Sequence, residues 1–331
     1  MTNRHNNPER RKLLLASGAG MLAAGLGLPG IALAQSKVRQ GFQTNIWGMP
    51  TYYLLRSGQL EKQGIGFEEF AVPSGNLTMQ QMVARQVDVG TYAGPSFITG
   101  HDKGGLVAIA VIEHVGKTTS IMARKDLNIT KVEQLKGRKI ANQTGSSIGN
   151  IFMNQIAPAH GLKSGDFTEV RMNVNDMVAA MAAKTVDAMV NVEPYNAIAI
   201  ADGIATQVMN YYDIDKMPVV MAATPDFIKA QPDTVVKYLK AWLAAARDFK
   251  EKPEQVAKVI YDFYTSKGYK MSAKTFQSAM ATIIVEPQFP ADFQKYAQEQ
   301  AEILLKAKKI DKVPDWKVAL RPDFMAKAMK G

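Results

Sequence analysis

Lys139 to Phe152 reads KIANQTGSSIGNIF: a short apolar run, a turn of threonine, glycine and two serines, then the start of a helical pattern. A strand that passes through a small-residue turn straight into a helix is the repeating unit of an α/β protein. A helix beginning near Ser147 presents backbone N–H groups that carry partial positive charge and suit an anion or a polar oxygen. Gly145 lets a ligand approach the backbone closely, and the hydroxyls of Ser146 and Ser147 are further donors. The plainer alternative is that Ser146 only caps the helix, as serine commonly does. No Gly-Lys-Ser/Thr follows the turn, so it is not a P-loop.

The same alternation extends in both directions. Strands are expected over 38–43, 67–72, 87–92 and 106–112, with helices over 50–63, 77–85 and 95–102 between them, and Gly64 as a helix stop. Four strands joined by helical crossovers imply a mostly parallel sheet. The pattern then restarts, with strands over 120–124, 139–142, 169–174, 188–192 and 206–210 and helices over 132–135, 148–160 and 175–184. A strand over 219–223 is expected to close this second unit. From Pro225 the chain reads as helical, over 232–249, 253–264, 272–283 and 291–306. Leu239, Trp242, Leu243 and Phe249 give these helices large apolar faces, which suits a tail that folds back over the first sheet. The second unit is then an insertion, with the chain crossing between units near 115–119 and 222–226.

The N-terminus is read separately. Arg4, Arg10, Arg11 and Lys12 precede a Gly- and Ala-rich apolar run over 13–33, which ends in Ala32-Leu33-Ala34. This is the pattern of an export signal over 1–34, and its glycines and small-x-small end favour cleavage over a membrane anchor. The paired arginines resemble a twin-arginine signal, although Sec signals also carry arginines. The 331-residue chain has no cysteine, which excludes a lipoprotein, disulfides and thiol chemistry. The product is expected to be soluble and periplasmic. The formal charge is +10; setting aside residues 1–34, with four basic residues and Glu9, leaves 36 basic against 29 acidic residues, or +7. The basic residues are scattered, without the aromatic-interleaved stripe of a nucleic-acid binder.

Two other strand ends carry unusually small or polar residues, Ile46-Trp47-Gly48-Met49-Pro50 and Tyr92-Ala93-Gly94-Pro95-Ser96. Ligands of open α/β sheets bind outside the carboxyl ends of strands, so both turns, with Thr144-Gly145-Ser146-Ser147, sit where a ligand is expected. Trp47 reads as a pocket wall or as core. Ser74-Gly75-Asn76 opens another helix. Glu193 either faces a cleft or caps the helix that begins at Pro194. The histidines outside the signal, His101, His114 and His160, are far apart and form no ligand motif, so no metal is expected. With no Gly-x-Ser-x-Gly elbow and no cysteine nucleophile, catalysis is not expected either.

Taken in order, several segments carry a family resemblance: GIGFEEF (Gly64 to Phe70), Ser74-Gly75, Gln81, Gln86-Val87-Asp88-Val89-Gly90 with Gly94-Pro95, Leu135-Lys136-Gly137-Arg138-Lys139-Ile140-Ala141, Gly145-Ser146-Ser147, Val186-Asp187-Ala188 and Glu193-Pro194-Tyr195. The chain resembles the periplasmic substrate-binding proteins of ABC importers in the nitrate, sulfonate, taurine and thiamine-precursor group. The resemblance implies an α/β, type II periplasmic-binding fold with two α/β lobes and a double-crossover hinge, lobe 1 being 35–117 and 224–331 and lobe 2 being 118–223. It implies hinge closure on a small, anionic organic solute (sulfonate, taurine, nitrate or aromatic carboxylate), no cofactor, a monomer, and delivery to a membrane permease with its cytoplasmic ATPase. The ligand-binding residues expected are Trp47, Ser74, Gly75, Gly94 and Ser96 from one lobe, with Thr144, Gly145, Ser146, Ser147, Glu193 and Tyr195 from the other. Family members often carry Trp where this chain has Val192, so a pocket wall is expected to differ. The alternatives are a binding component of a sensory system, whose sequence looks the same, and an enzyme on this fold such as a pyrimidine-precursor synthase, whose cysteine cluster this chain lacks.

Overall fold

The computed structural model describes residues 36–330; the expected export signal lies outside them. The described residues form one compact unit built on two sheets. The first contains β1 (Ser36–Gln43), β2 (Ile65–Val72), β3 (Val89–Ala93), β4 (Val107–His114), β10 (Pro218–Ala223) and β11 (Ile284–Gln288), in the order β11-β4-β10-β3-β1-β2. The second contains β5 (Thr119–Arg124), β6 (Lys139–Asn142), β7 (Thr168–Arg171), β8 (Ala188–Val192) and β9 (Ala205–Asn210), in the order β7-β6-β8-β5-β9.

Parallel pairing of β1 with β2 and β3 follows from the helices that cross between them, because parallel neighbours need a crossover rather than a hairpin. The helix expected over 50–63 is two, Met49–Arg56 and Gln59–Lys62, separated at Gly58, whose φ of 71° ends the first. The helix expected over 148–160 runs from Ser147 but passes through a π turn at Phe152–Ile156.

Residues 219–223 differ from expectation. They form β10, which lies antiparallel between β3 and β4 in the first sheet and does not join the second. Its run PVVMAA is buried throughout, and such a strand is stable only at the centre of a sheet covered on both faces. The chain therefore crosses between the sheets at 115–118 and 211–217. The crossings are bonded to each other, Val115 N donating to Met217 O (3.1 Å) and Gly116 N to Lys216 O (2.9 Å). β11 was expected only as chain between helices. It is a short edge strand containing Pro287, antiparallel to β4 with an irregular register, and proline is tolerated at an edge.

The helix Pro232–Glu251 covers the first sheet with Val235, Tyr238, Leu239 and Trp242 fully buried. Trp242 Nε1 donates to Tyr238 OH (3.1 Å), which donates to the Gln40 side chain on β1. Tyr53 OH donates to Asp248 Oδ2 (3.0 Å).

One buried group works against stability. Glu113 on β4 lies between Val219 of β10 and Val285 of β11, and neither carboxyl oxygen has a hydrogen-bond partner. Burial pushes its carboxyl well above the usual carboxylate range. Replacing a buried unsatisfied polar group by an apolar one of similar shape removes a desolvation penalty, so Glu113→Met is expected to raise unfolding free energy by about 1–3 kcal/mol. Urea denaturation checks this; an unchanged or lower midpoint would mean that the carboxyl is satisfied.

Candidate functional site

Four strand-to-helix turns converge on a narrow cleft of about 10 Å³, room for about one water molecule, lined by Asn45 and Trp47 after β1, Ser74, Gly75 and Asn76 after β2, Ala93 and Ser96 at the end of β3, and Gln143, Ser146, Ser147 and Ile148 after β6. Three of these turns follow strands of the first sheet and one follows a strand of the second. β1 and β3 are neighbours with β2 on the far side of β1, and this change of winding direction opens the crevice where α/β sheets hold ligands.

The serines divide by role. Ser146 is the N-cap of the helix that starts at Ser147: its hydroxyl accepts from Gly149 N (3.2 Å) and donates to Gln143 O (2.7 Å). Ser74 caps Gly75–Val83 in the same way, accepting from Leu77 N (3.4 Å). Ser147 instead crosses the cleft. Its Oγ accepts from Ser96 N (3.1 Å) and lies 2.9 Å from Ser96 Oγ, so one hydroxyl joins the turns of the two sheets. Trp47 is buried; its indole N–H donates to Thr118 Oγ1 (2.6 Å) in the first crossing segment, which leaves the ring as wall.

The other expected residues stand outside the cleft lining. Gly94 opens the helix Gly94–Gly104, and a Cβ there would lie 2.7 Å from Tyr296 Cε1, so its bare backbone admits Tyr296. Thr144 is exposed and its hydroxyl donates to Glu169 Oε1 (2.8 Å). Gly145 has φ of 84° with open space around it, so it serves the turn conformation. Tyr195 is buried with its hydroxyl 3.1 Å from Tyr269 OH. Glu193 caps its own helix, Oε2 accepting from Ala197 N (3.0 Å), while its backbone carbonyl accepts from Ile46 N (3.2 Å).

Burial pushes the Glu193 carboxyl up to about 7, against the opposing pull of the Ala197 N–H. Its folded value lies above the ordinary value of ~4.3, so the folded state holds the proton more tightly. The contribution is fully present below the ordinary value and is lost as pH rises through about 7. The wild-type chain is therefore expected to lose roughly 2–3 kcal/mol more unfolding free energy than Glu193→Gln between pH 4 and pH 8. Parallel pH profiles for the two proteins would mean that Glu193 ionises freely in the fold.

Gln43 was not singled out from the sequence. It is the last residue of β1, fully buried, and neither its Oε1 nor its Nε2 has a partner. Nε2 lies 3.7 Å from the position a Gly75 Cβ would occupy, beside the cleft. Its place at the end of a strand, just before the turn that carries Asn45 and Trp47, is the only signal that marks it. Asn45, Asn76 and Gln143 add further amides. Among the described residues, none that lines the cleft is titratable, and no cluster of candidate metal ligands occurs. Neutral hydroxyls and amides recognise a polar group or a charge-delocalised oxyanion by hydrogen bonding, without a counter-ion.

Residues 48–256 match the family model described as NMT1/THI5 like. The chain is 29% identical over 163 residues to a putative binding protein of Brucella abortus (strain 2308), a match covering 49% of this chain and 50% of the relative, so it spans about half that relative's length. It is 26% identical over 273 residues to a putative aliphatic sulfonates-binding protein of Bacillus subtilis (strain 168), covering 82% of this chain and 80% of that one. Its fold is shared with the alkanesulfonate-binding protein SsuA of Xanthomonas axonopodis pv. citri, solved bound to MOPS, at a TM-score of 0.76 and 18% identity over 86% of this chain and 98% of that one. This is the periplasmic-binding fold.

Proposed function

The chain belongs to the NMT1/THI5-like family, and from that premise we propose that it is an exported solute-binding protein that captures a small organic anion between two lobes and hands it to an ABC importer. The observation that carries this reading is the cleft lined by neutral donors from both sheets and bridged by Ser96 and Ser147. The two sheets serve as the lobes, 36–114 with 218–330 forming one and 119–210 the other, joined by the paired crossings at 115–118 and 211–217. A ligand that touches both lobes favours the state in which they meet.

An organic sulfonate is the solute class the cleft suits best. Its three oxygens share one charge, and Ser, Asn and Gln donors answer such a group without the salt bridge a localised charge demands. The named sulfonate-binding relative supports the same class. The protein acts as a periplasmic monomer and its partners are a membrane permease and its ATPase. Binding rather than catalysis is favoured because the lining offers no acid, base or thiol nucleophile.

Thermal unfolding of residues 35–331 against alkanesulfonates, taurine, nitrate, aromatic carboxylates and pyrimidines tests the reading. A ligand at 100 times its Kd adds about 2.7 kcal/mol to the folded state, enough to shift the melting temperature visibly. A shift with sulfonates supports the reading. A shift with pyrimidines alone moves the chain toward the precursor-binding branch, and conversion of a pyrimidine precursor would replace binding by enzymology.

A further inference from the structure

Behind the cleft lies a second set of contacts between the two sheets' elements that involves none of the lining residues. Gln155 sits in the π turn of the helix that begins at Ser147, eight residues and about 12 Å along the axis from that serine. Its Nε2 donates to Gln300 Oε1 (3.1 Å) on the tail helix Phe293–Lys306. Gln300 Nε2 donates to Asp215 Oδ2 (3.1 Å), Tyr296 OH donates to the same oxygen (3.2 Å), and Met217 N donates to Asp215 Oδ1 (2.7 Å). Asp215 and Gln300 are both buried, and Asp215 lies in the second crossing segment.

These contacts join three parts of the chain that must move relative to one another if the cleft opens. Gln155 rides on the helix that carries Ser147, so its position is tied to one wall of the cleft. Tyr296 packs against Gly94, at the start of the helix that carries Ser96 on the other wall. Asp215 is held against the first crossing as well: a Cβ on Gly116 would lie 2.5 Å from Asp215 O. Buried polar groups of this kind are stable only when every partner is in place, so the set is made or broken as a unit.

We propose that Gln155, Gln300 and Asp215 form a clasp that holds the two lobes together from the hinge side, and that Gln155 and Gln300 are positioning residues which set how much of the ligand-free protein is closed. The clasp rests on the two-lobe reading given above. It makes closure a property of the chain itself, which the ligand then reinforces from the opposite side through Ser147 and Ser96.

The chain has no cysteine, so spin labels on Gln80→Cys and Ala179→Cys, exposed positions on the helices Gly75–Val83 and Met177–Ala182, report the separation of the lobes without other substitution. Distances are measured by pulsed electron paramagnetic resonance on residues 35–331 without ligand. Removing Gln300, with two hydrogen bonds, is expected to lower the closed-to-open ratio by roughly 30-fold, and Gln155→Ala, with one, by about fivefold. Both variants gain a longer-distance population, and both release a bound alkanesulfonate faster than the parent. Distance distributions that superimpose on the parent for both variants overturn the clasp. Gln155 is only half-buried, so its variant retains the fold even if Gln300→Ala does not. If sulfonates bind the variants and the parent equally well, only the clasp is lost; if no sulfonate binds the parent, the ligand reading fails while the ligand-free distances still decide the clasp.

Discussion

Gly48→Ala is expected to destabilise the chain by more than about 4 kcal/mol or to prevent folding, an effect reserved for substitutions with an identifiable steric cause. After β1 the backbone turns sharply: the Asn45 side chain accepts from Trp47 N (3.0 Å), Gly48 N donates to Asn45 O (3.1 Å), and the helix Met49–Arg56 begins at once. A Cβ on Gly48 would lie 1.7 Å from Gln43 O and 2.7 Å from Gln43 C. Both are backbone atoms at the end of a strand paired on both sides, so they cannot swing away as a side chain can. Gly145→Ala is the control. Its φ of 84° strains alanine but nothing stands within 4 Å, and the loss should be about 1–2 kcal/mol. Chemical denaturation of the two variants checks the contrast. Equal losses would show that the turn after β1 relaxes, and with it the placing of Gln43 and Trp47 at the cleft.

Ser147→Ala is expected to weaken ligand binding by about 10- to 100-fold, since a site built around a hydroxyl leaves its partners unpaired when the hydroxyl is removed, and to cost about 1–3 kcal/mol of stability because the buried Ser96 N–H loses its acceptor. Ser146→Ala should leave binding nearly unchanged. Its hydroxyl is committed to Gly149 N and Gln143 O, so its loss is that of an N-cap, about 1 kcal/mol of stability. Calorimetric titration and urea denaturation of the two single variants separate these outcomes. Equal binding losses would make both serines ligand donors.

The strands β1 to β3 were legible because each precedes a helical period, β4 because its run is apolar almost throughout, and Gly64 was legible as a stop because only a residue free to adopt its φ of 69° ends that helix. β10 was not. Its apolar run says that it is buried, but its partners β3 and β4 lie more than 100 residues earlier, and no local pattern encodes that pairing. β11 was hidden because Pro287 and a five-residue length give it a weak strand signature.

The cleft shows the same limit. Ser74, Ser96, Ser146 and Ser147 could be picked out, since small polar residues after strands mark where backbone is exposed. Which of them caps and which bridges depends on a contact between residues 51 positions apart. Gln43 depends on the direction in which one strand-end amide points. Glu193 looked equally suited to cleft or cap, and the Ala197 N–H takes its carboxylate.

The most direct test of the account is isothermal titration of alkanesulfonates into residues 35–331, with Ser147→Ala in parallel. One saturable site per chain, weakened at least tenfold in the variant, is the predicted result. A folded chain that takes up no sulfonate, or one that binds it with the same affinity when Ser147 is alanine, would contradict the assignment of this cleft as the solute site.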